Sequence, residues 1–581
     1  MDTKAKEFEK QILNSGDLGK FYKYINSKLC SKSGIGPLKD ENNKYVFTAS
    51  EKSNLLNKYF SSVCIKDDNL TPVSILTKSF VTDQSLDKIT FTICETHKVL
   101  TRQQKKLSAG PDGFPPILFK RLARCLSHPI TIMNGIIFKN GNLPKAWKNA
   151  TVTPIFKRGC SSCVKNYRPI SLTCVLCKIF ETSVKNQVLD YLVKTEILSA
   201  SQHGFISKHS TCTNLLESLN DWTINLKNGN QTRVVTIDFA RAFDTVCHRK
   251  LLLKLKMYGL GTPVLQIIES FLKNRTQCVV IEGTQSEQTE LTSGVPQGSV
   301  LGPLLFVVYI NDLSDVLSPG ITLKLFADDA KLYAEIKTGD DVDDLQLCID
   351  NLSIWAAEWQ LNISISKCAS IDIGKIDNYF CENMIEGEVL KSVSELKDLG
   401  VIIDNKLTFT AHITETVAKA KQRIFLLFRT FYTRDRAPLL AAYKSFILPL
   451  VSYCSSVWSP YLLGDVAAIE SVQRLFTRKL SGLEKISYQE RLKILKLPSL
   501  ELRRLRADLL LCFKILNGYV SGDLTSYGLV FSKTSTRGHN QKLFIDHTKV
   551  EARRHYFGNR IVKPWNSLSL EVVNATSVKI F

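Results

Sequence analysis

Between Leu323 and Ile336 the chain reads LKLFADDAKLYAEI, two runs of alternating apolar and polar residues that meet at the adjacent carboxylates Asp328 and Asp329. Alternation with period two sends one side of a strand to a core and the other outward, so the pattern predicts a β-hairpin with the acidic pair at its tip. Neighbouring carboxylates repel and raise each other's pKa unless a positive charge stands beside them, and a divalent metal is the usual partner. The same pattern predicts a strand over Thr232–Asp238, TRVVTID, ending on Asp238, and further strands in NATVTPIFK, QCVVIEG and QTELTSG. Helical spacing is found in HRKLLLKLKMYG, stopped by Gly259, in PVLQIIESFLKNR, and in an apolar run that follows SGVPQGSVLGP and continues through Asp312. Strand, helices, strand pair, helix and hairpin in that order predict an α+β sheet with helices on one face.

On either side the periodicity changes. Residues 1–90 read as helical pieces such as KFYKYINSKL and ASEKSNLLNKYFSSV joined by polar loops. Beyond about residue 405 strands thin out and helices such as HITETVAKAKQRIFLLFRTF and APLLAAYKSFILPLVSYCSSVW follow. This part is basic, with Lys419, Lys421, Arg423 and Arg429 in one helix and the run LELRRLR at Leu500–Arg506. For any single run a solvated helix face is an equal reading.

A length of 581 residues predicts several domains, and 76 Lys and Arg against 55 Asp and Glu, a formal net charge of +21, points to a polyanionic partner, nucleic acid or an anionic membrane surface. The start MDTKAKEFEK has no apolar run behind it, and the longest such run, Leu301–Ile310, is too short to cross a bilayer. The expectation is therefore an intracellular protein, not inserted in a membrane, whose 16 cysteines are mostly thiols. Cys160 and Cys163, followed by Cys174 and Cys177, repeat the CxxC spacing of a zinc knuckle. The preferred reading puts the first pair in a loop and the second at the start of an amphipathic helix, facing a core as small hydrophobes.

Joining a hydroxyl to a nucleoside triphosphate calls for two divalent ions, one acidifying the attacking hydroxyl and one neutralising the triphosphate. Mg²⁺ takes oxygen ligands and is held by a few carboxylates, with substrate oxygens and water completing the shell. Asp238 and the Asp328–Asp329 turn supply such a set if their strands are neighbours. Alone, Asp238 is better read as a strand-end or capping residue, and the acidic pair equally as a solvated turn.

The surroundings change that balance. IDFARAFDTVCH, SGVPQGSVLGPLLFVVYINDL and FADDAKLY occur in order, with AGPDG, NYRPISLTCVLCKIFE and QHGFISKHST before them and WQLNISISKC and LKDLGVIID after. Together they resemble the reverse transcriptases of non-LTR, LINE-type retrotransposons, particularly the jockey-like group, from about 100 to 405 and more loosely beyond. The resemblance implies a right-hand polymerase, with fingers and palm over 91–404, a helical thumb over 405–470 and a basic helical C-terminal region over 471–581. It implies RNA-directed DNA synthesis from dNTPs on a DNA primer with an RNA template and two Mg²⁺ ions, Mn²⁺ being a substitute, and action in the nucleus where the primer is chromosomal. Asp238 and Asp328 would be the principal metal ligands, with Asp329 completing the motif and Lys367 donating a proton to pyrophosphate. Phe243 would exclude a 2′-hydroxyl, Gln297 and Gly298 would contact template and incoming base, and Lys157 and Arg168 would grip the triphosphate. The alternative is an inactive product of a decayed element that only binds nucleic acid. Elements of this kind usually encode an endonuclease upstream, for which residues 1–90 are too few, so a truncated copy or a fragment is expected.

Overall fold

The computed structural model describes residues 2–15, 17–29, 34–77, 81–374, 382–533 and 538–581. At its centre is a five-stranded sheet in the order Lys391–Ser392, Ala369–Ile373, Gln231–Asp238, Asp329–Ile336, Ile321–Phe326. The first pair is parallel and the others antiparallel. The predicted hairpin is present, as is the strand that ends on Asp238.

Period-two alternation divides this sheet into two faces. Val235, Ile237, Leu323, Leu325, Leu332 and Ala334 share one apolar core with residues of the helices His248–Met257, Gly302–Ile310 and Gly339–Glu358. Val234, Tyr333, Ile371 and Ile373 point the other way into a second core. That core takes Leu215, Leu219 and Trp222 from the helix Thr211–Lys227, and residues of the helices Thr410–Thr430, Leu463–Arg478 and Leu500–Leu516. Helices therefore cover both faces, not one as the order of elements predicts. The second layer comes from the far end of the chain, a long-range packing that local periodicity does not encode.

A second sheet runs Tyr167–Leu172, Asn149–Phe156, Arg275–Ile281, Thr284–Gln285, with Thr289–Leu291 also paired to Arg275–Ile281. The helix Ala49–Ser62 lies on it. Thr48 and Glu51 form a capping box at its start, its Leu56 and Phe60 bury against Val152, Val279 and Ile281, and Asn57 donates to the Glu287 carbonyl at 2.7 Å. The first helix, Asp2–Asn14, goes elsewhere: the buried Glu9 carboxylate accepts the backbone N–H groups of Tyr432 and Thr433 at 3.1 and 2.9 Å. Residues 1–90 are thus shared between two parts of the molecule. The boundary expected at 470 falls inside the helix Leu463–Arg478, whose Ile469, Val472 and Phe476 belong to one continuous core. The segment expected as a single helix over 437–458 is broken into Arg436–Ala442, a π-helical turn Tyr443–Ile447 and Ser455–Trp458, with Pro449, which has no N–H to donate, in the gap.

Candidate active site

Asp238 ends its strand and Asp329 begins the neighbouring one, and the two are register partners. On the other side Asp329 pairs with Phe326, so Ala327 and Asp328 form a two-residue loop. Ala327 has φ +57°, the left-handed region, at a loop position that hairpins usually give to glycine. The three carboxylates predicted as a set are therefore gathered at one end of the two central strands, Asp238 and Asp329 on the face that carries Val234 and Tyr333.

Their charges interact. Burial and then the negative charge of Asp238 raise the Asp328 carboxyl above its ordinary range, against the opposing pull of Arg168 and Lys157. Asp329 is open at its surface yet recessed between strands, and loss of surrounding water, followed by Asp328, Asp398 and Asp238, pushes it up to about 6. Lys367 lies on the short turn Ile365–Lys367, and its Nζ donates to Asp238 Oδ2 at 2.7 Å. Both partners are half-exposed, so this pair is worth at most about 1 kcal/mol and is readily exchanged for another cation. The backbone of Asp238 is tied to the same turn, its carbonyl accepting from Ser364 N–H at 2.7 Å.

Lys157 and Arg168 come from the second sheet. Arg168 is the register partner of Ile155, two residues before Lys157, and the Lys157 N–H donates to the Asn166 carbonyl at 2.9 Å. Burial and the positive charges of Arg168, Lys367 and Arg158 hold the Lys157 ammonium below its usual pKa, while Asp238 opposes them. The fields of these cations and of the carboxylates overlap. Asp238, Asp329, Lys331, Lys367, Lys397 and Asp398 line one cleft of about 310 Å³. A larger cavity of about 620 Å³, with Leu252, Leu265 and Leu291 in its wall, lies apart and includes none of the predicted residues.

Phe243 is half-buried, its ring stacked on Phe306 at 4.4 Å and edge-on to Phe205 at 6.3 Å. Its carbonyl accepts from Val295 N–H at 2.8 Å, which fastens the VPQG loop beside it. Gln297 donates through Nε2 to Asp244 Oδ1 at 2.8 Å, and its carbonyl accepts from Ser171 N–H at 2.8 Å. Gly298 has φ +120°, and a Cβ there would stand 2.4 Å from the Ser171 carbonyl oxygen, so only glycine fits.

Among the described residues no three His, Cys, Asp or Glu groups stand close enough to enclose a metal by themselves. The set still suits Mg²⁺, which is commonly held by one or two carboxylates with substrate oxygens and water. Burial and mutual repulsion leave Asp328 and Asp329 short of positive charge, the condition a divalent cation relieves. Cys160 and Cys163 lie in a loop, whereas Cys174 and Cys177 are buried at the start of the helix Val175–Lys194 and donate to Asp112 Oδ2 and Glu181 Oε1 at 2.8 and 3.3 Å. The reading as core thiols agrees with this placement.

Several supporting groups carry no distinguishing signal in the sequence. Glu181, buried, accepts through Oε2 from the N–H groups of Val300 and Leu301 at 2.7 and 2.9 Å and so holds the end of the VPQGS loop. Lys331 and Asp398 form a buried pair at 2.5 Å next to Asp329. Gln202 and Gly204 lie against the acidic turn. The blocks QHGF and LKDLG mark two of these places, but no charge pattern shows what they touch.

Residues 155–403 match the reverse transcriptase (RNA-dependent DNA polymerase) family. The chain carries a reverse transcriptase domain. Every residue predicted for the site lies inside the matched segment. Similar proteins include the RNA-directed DNA polymerase from mobile element jockey of Drosophila melanogaster, 28% identical over 414 residues that cover 68% of this chain and 44% of that protein. The protein of the same name from Drosophila funebris is 29% identical, over 67% and 44%. The probable RNA-directed DNA polymerase from transposon X-element of Drosophila melanogaster is 28% identical, over 68% and 44%. The chain thus spans less than half the length of these relatives. Reverse transcriptases as a family generally depend on a divalent metal. Among the described residues no helix is long and apolar enough to cross a membrane.

Proposed function

We propose that this chain is the RNA-directed DNA polymerase part of a non-LTR retrotransposon protein, and that the edge of the central sheet carrying Asp238, Asp328 and Asp329 is where it extends a DNA primer along an RNA template. The observation that carries this reading is the register pairing of Asp238 with Asp329 beside the Asp328 loop. The central sheet is read as the palm, the second sheet with Lys157 and Arg168 as the fingers, and the helices from Thr410 onward as the thumb and a C-terminal region fused to it.

Asp238 and Asp328 would hold the divalent cations, with Asp329 beside them; ions bound there lower the pKa of the primer 3′-hydroxyl and neutralise the triphosphate. The 3′-hydroxyl loses its proton to solvent, and its oxygen forms a bond to the α-phosphorus of the dNTP as the bond to pyrophosphate breaks. Lys157 and Arg168 bind the triphosphate oxygens as cations, Arg168 through its planar fork. Lys367 leaves Asp238 for the departing pyrophosphate and gives it a proton. Phe243, braced by Phe306, keeps its ring where a ribose 2′-hydroxyl would collide. The basic helices take up template and primer phosphates, which makes binding salt-dependent.

The test is primer extension on poly(rA)–oligo(dT) with dTTP and Mg²⁺. Wild type incorporates nucleotide and Asp328→Ala falls to background while still retaining the duplex; binding without incorporation by wild type would overturn the reading.

A further inference from the structure

The Asp328–Asp329 turn is held by a side chain outside the hairpin. Gln202 is 1% exposed, and its single carboxamide oxygen accepts two backbone N–H groups, from Gly204 at 2.7 Å and from Ala327 at 2.9 Å. Both partners are donors, so the oxygen must face them, and Nε2 is left buried without a hydrogen-bond partner. Keeping an unpaired buried amide is costly, and the group is retained where its other end does something that an apolar residue could not.

The backbone around Gln202 is fastened to the same strand. Ser201 accepts through its carbonyl from Leu325 N–H at 2.8 Å, and His203 N–H donates to the Leu325 carbonyl at 2.9 Å, so residues 201–203 add a short parallel rung to the edge strand Ile321–Phe326. Gly204 follows because a Cβ there would stand 2.3 Å from the Ala327 nitrogen. The contact falls on Ala327, whose left-handed φ an alanine adopts only against a penalty. The residue after Ala327 is Asp328.

We propose that Gln202 is a positioning residue for the reaction: by pinning the Ala327 N–H it selects the left-handed turn that aims Asp328, and Gly204 is the clearance that lets it do so. This rests on the polymerase reading above. An acceptor at this point is what the turn requires. Gln202→Leu fills similar space and accepts nothing, and Gln202→Glu accepts both N–H groups. Gly substituted at Ala327 takes the left-handed backbone without help.

The experiment compares full-length wild type, Gln202→Leu, Gln202→Glu, the double variant Gln202→Leu with Ala327→Gly, and Asp328→Ala, reading kcat, KM for dTTP and thermal midpoint on poly(rA)–oligo(dT). Gln202→Leu is expected to lose about 100-fold in kcat, the cost of misplacing a reacting group by about 1 Å, with KM little changed. Gln202→Glu and the double variant are expected to regain most of it. The proposal is overturned if Gln202→Leu keeps wild-type kcat, if Gln202→Glu loses as much as Gln202→Leu, or if the loss in each variant follows its thermal midpoint. Should Gln202→Leu fail to fold, Gln202→Glu against wild type decides by the same rule. An active Asp328→Ala would instead overturn the polymerase site itself, whatever the Gln202 variants do.

Discussion

The two faces of the central sheet are both buried, yet they are made of different chemistry. On one, Val235, Ile237, Leu332 and Ala334 meet apolar helices that follow closely in the chain. On the other, Asp238, Asp329, Lys331 and Tyr333 share a face with Val234, and the polar ends of all but Asp329 are matched one by one, Asp238 by Lys367. Lys331 pairs with Asp398, Lys324 on the edge strand with Glu217, and the Tyr333 hydroxyl donates to Asp221 at 2.6 Å. The first face is held chiefly by area removed from water, which tolerates approximate fits, with one ion pair toward its end, Arg233 to Asp372 at 2.7 Å; the second depends on charges that are stable only while paired. The proposed chemistry falls on the second face, where carboxylates kept for a ligand have the polar neighbourhood they need.

Breaking the pairs on the second face should have the largest effect. Lys331→Met leaves Asp398 buried without its partner and is expected to cost about 3–5 kcal/mol of unfolding free energy in urea titration, with Asp398→Leu added to it recovering most of the loss. A solvated face would give a change within about 0.5 kcal/mol. On the apolar face Leu332→Ala is expected to cost about 2–5 kcal/mol by the same measurement, and no change at a polar partner should restore it. Tyr333→Phe removes the proton donated to Asp221 and should cost about 1–3 kcal/mol, less than either.

The smallest effect concerns pH. Asp329 holds its proton up to about 6 in the folded chain against an ordinary 3.8, so the folded state binds the proton more tightly than the unfolded one. Its contribution to stability is complete below about pH 3.8 and is lost as pH rises through about 6. In buffer free of divalent ions, raising the pH from about 5 to about 7 should lower the thermal midpoint of wild type more than that of Asp329→Asn. Equal slopes would show that the carboxylate is not destabilised by its surroundings.

The same contrast explains what could be read from the sequence. The hairpin is legible because its apolar side alternates without interruption, and the strand ending on Asp238 because Val235 and Ile237 continue that side past Arg233. Their other side, Lys324, Lys331 and Glu335, has the pattern of a solvent face and gives no sign of the second helical layer. Nothing local in KLYAEI distinguishes a lysine in water from one buried against Asp398, 67 residues later. The boundary at 470 failed to match a break in the core for the same reason, since Ile469 and Phe476 join the sheet's second layer through contacts distant in sequence. In the site, the carboxylates and cations were visible as residue types at motif positions. Gln202 and Glu181 were not assigned, because a side chain whose work is to accept backbone N–H groups leaves no mark in composition or charge.

The central claim is that Asp238 and Asp328 serve one pair of ions at the growing primer end. It is tested most directly by a structure of the full chain with primer–template, an incoming non-hydrolysable dNTP and Mg²⁺. An oxygen of Asp238 and an oxygen of Asp328 are each expected within about 2.1 Å of a metal that also binds the triphosphate, with Lys367 released from Asp238. A nucleotide seated elsewhere, or a metal bound at the acidic turn while Asp238 keeps its pairing to Lys367, would contradict it.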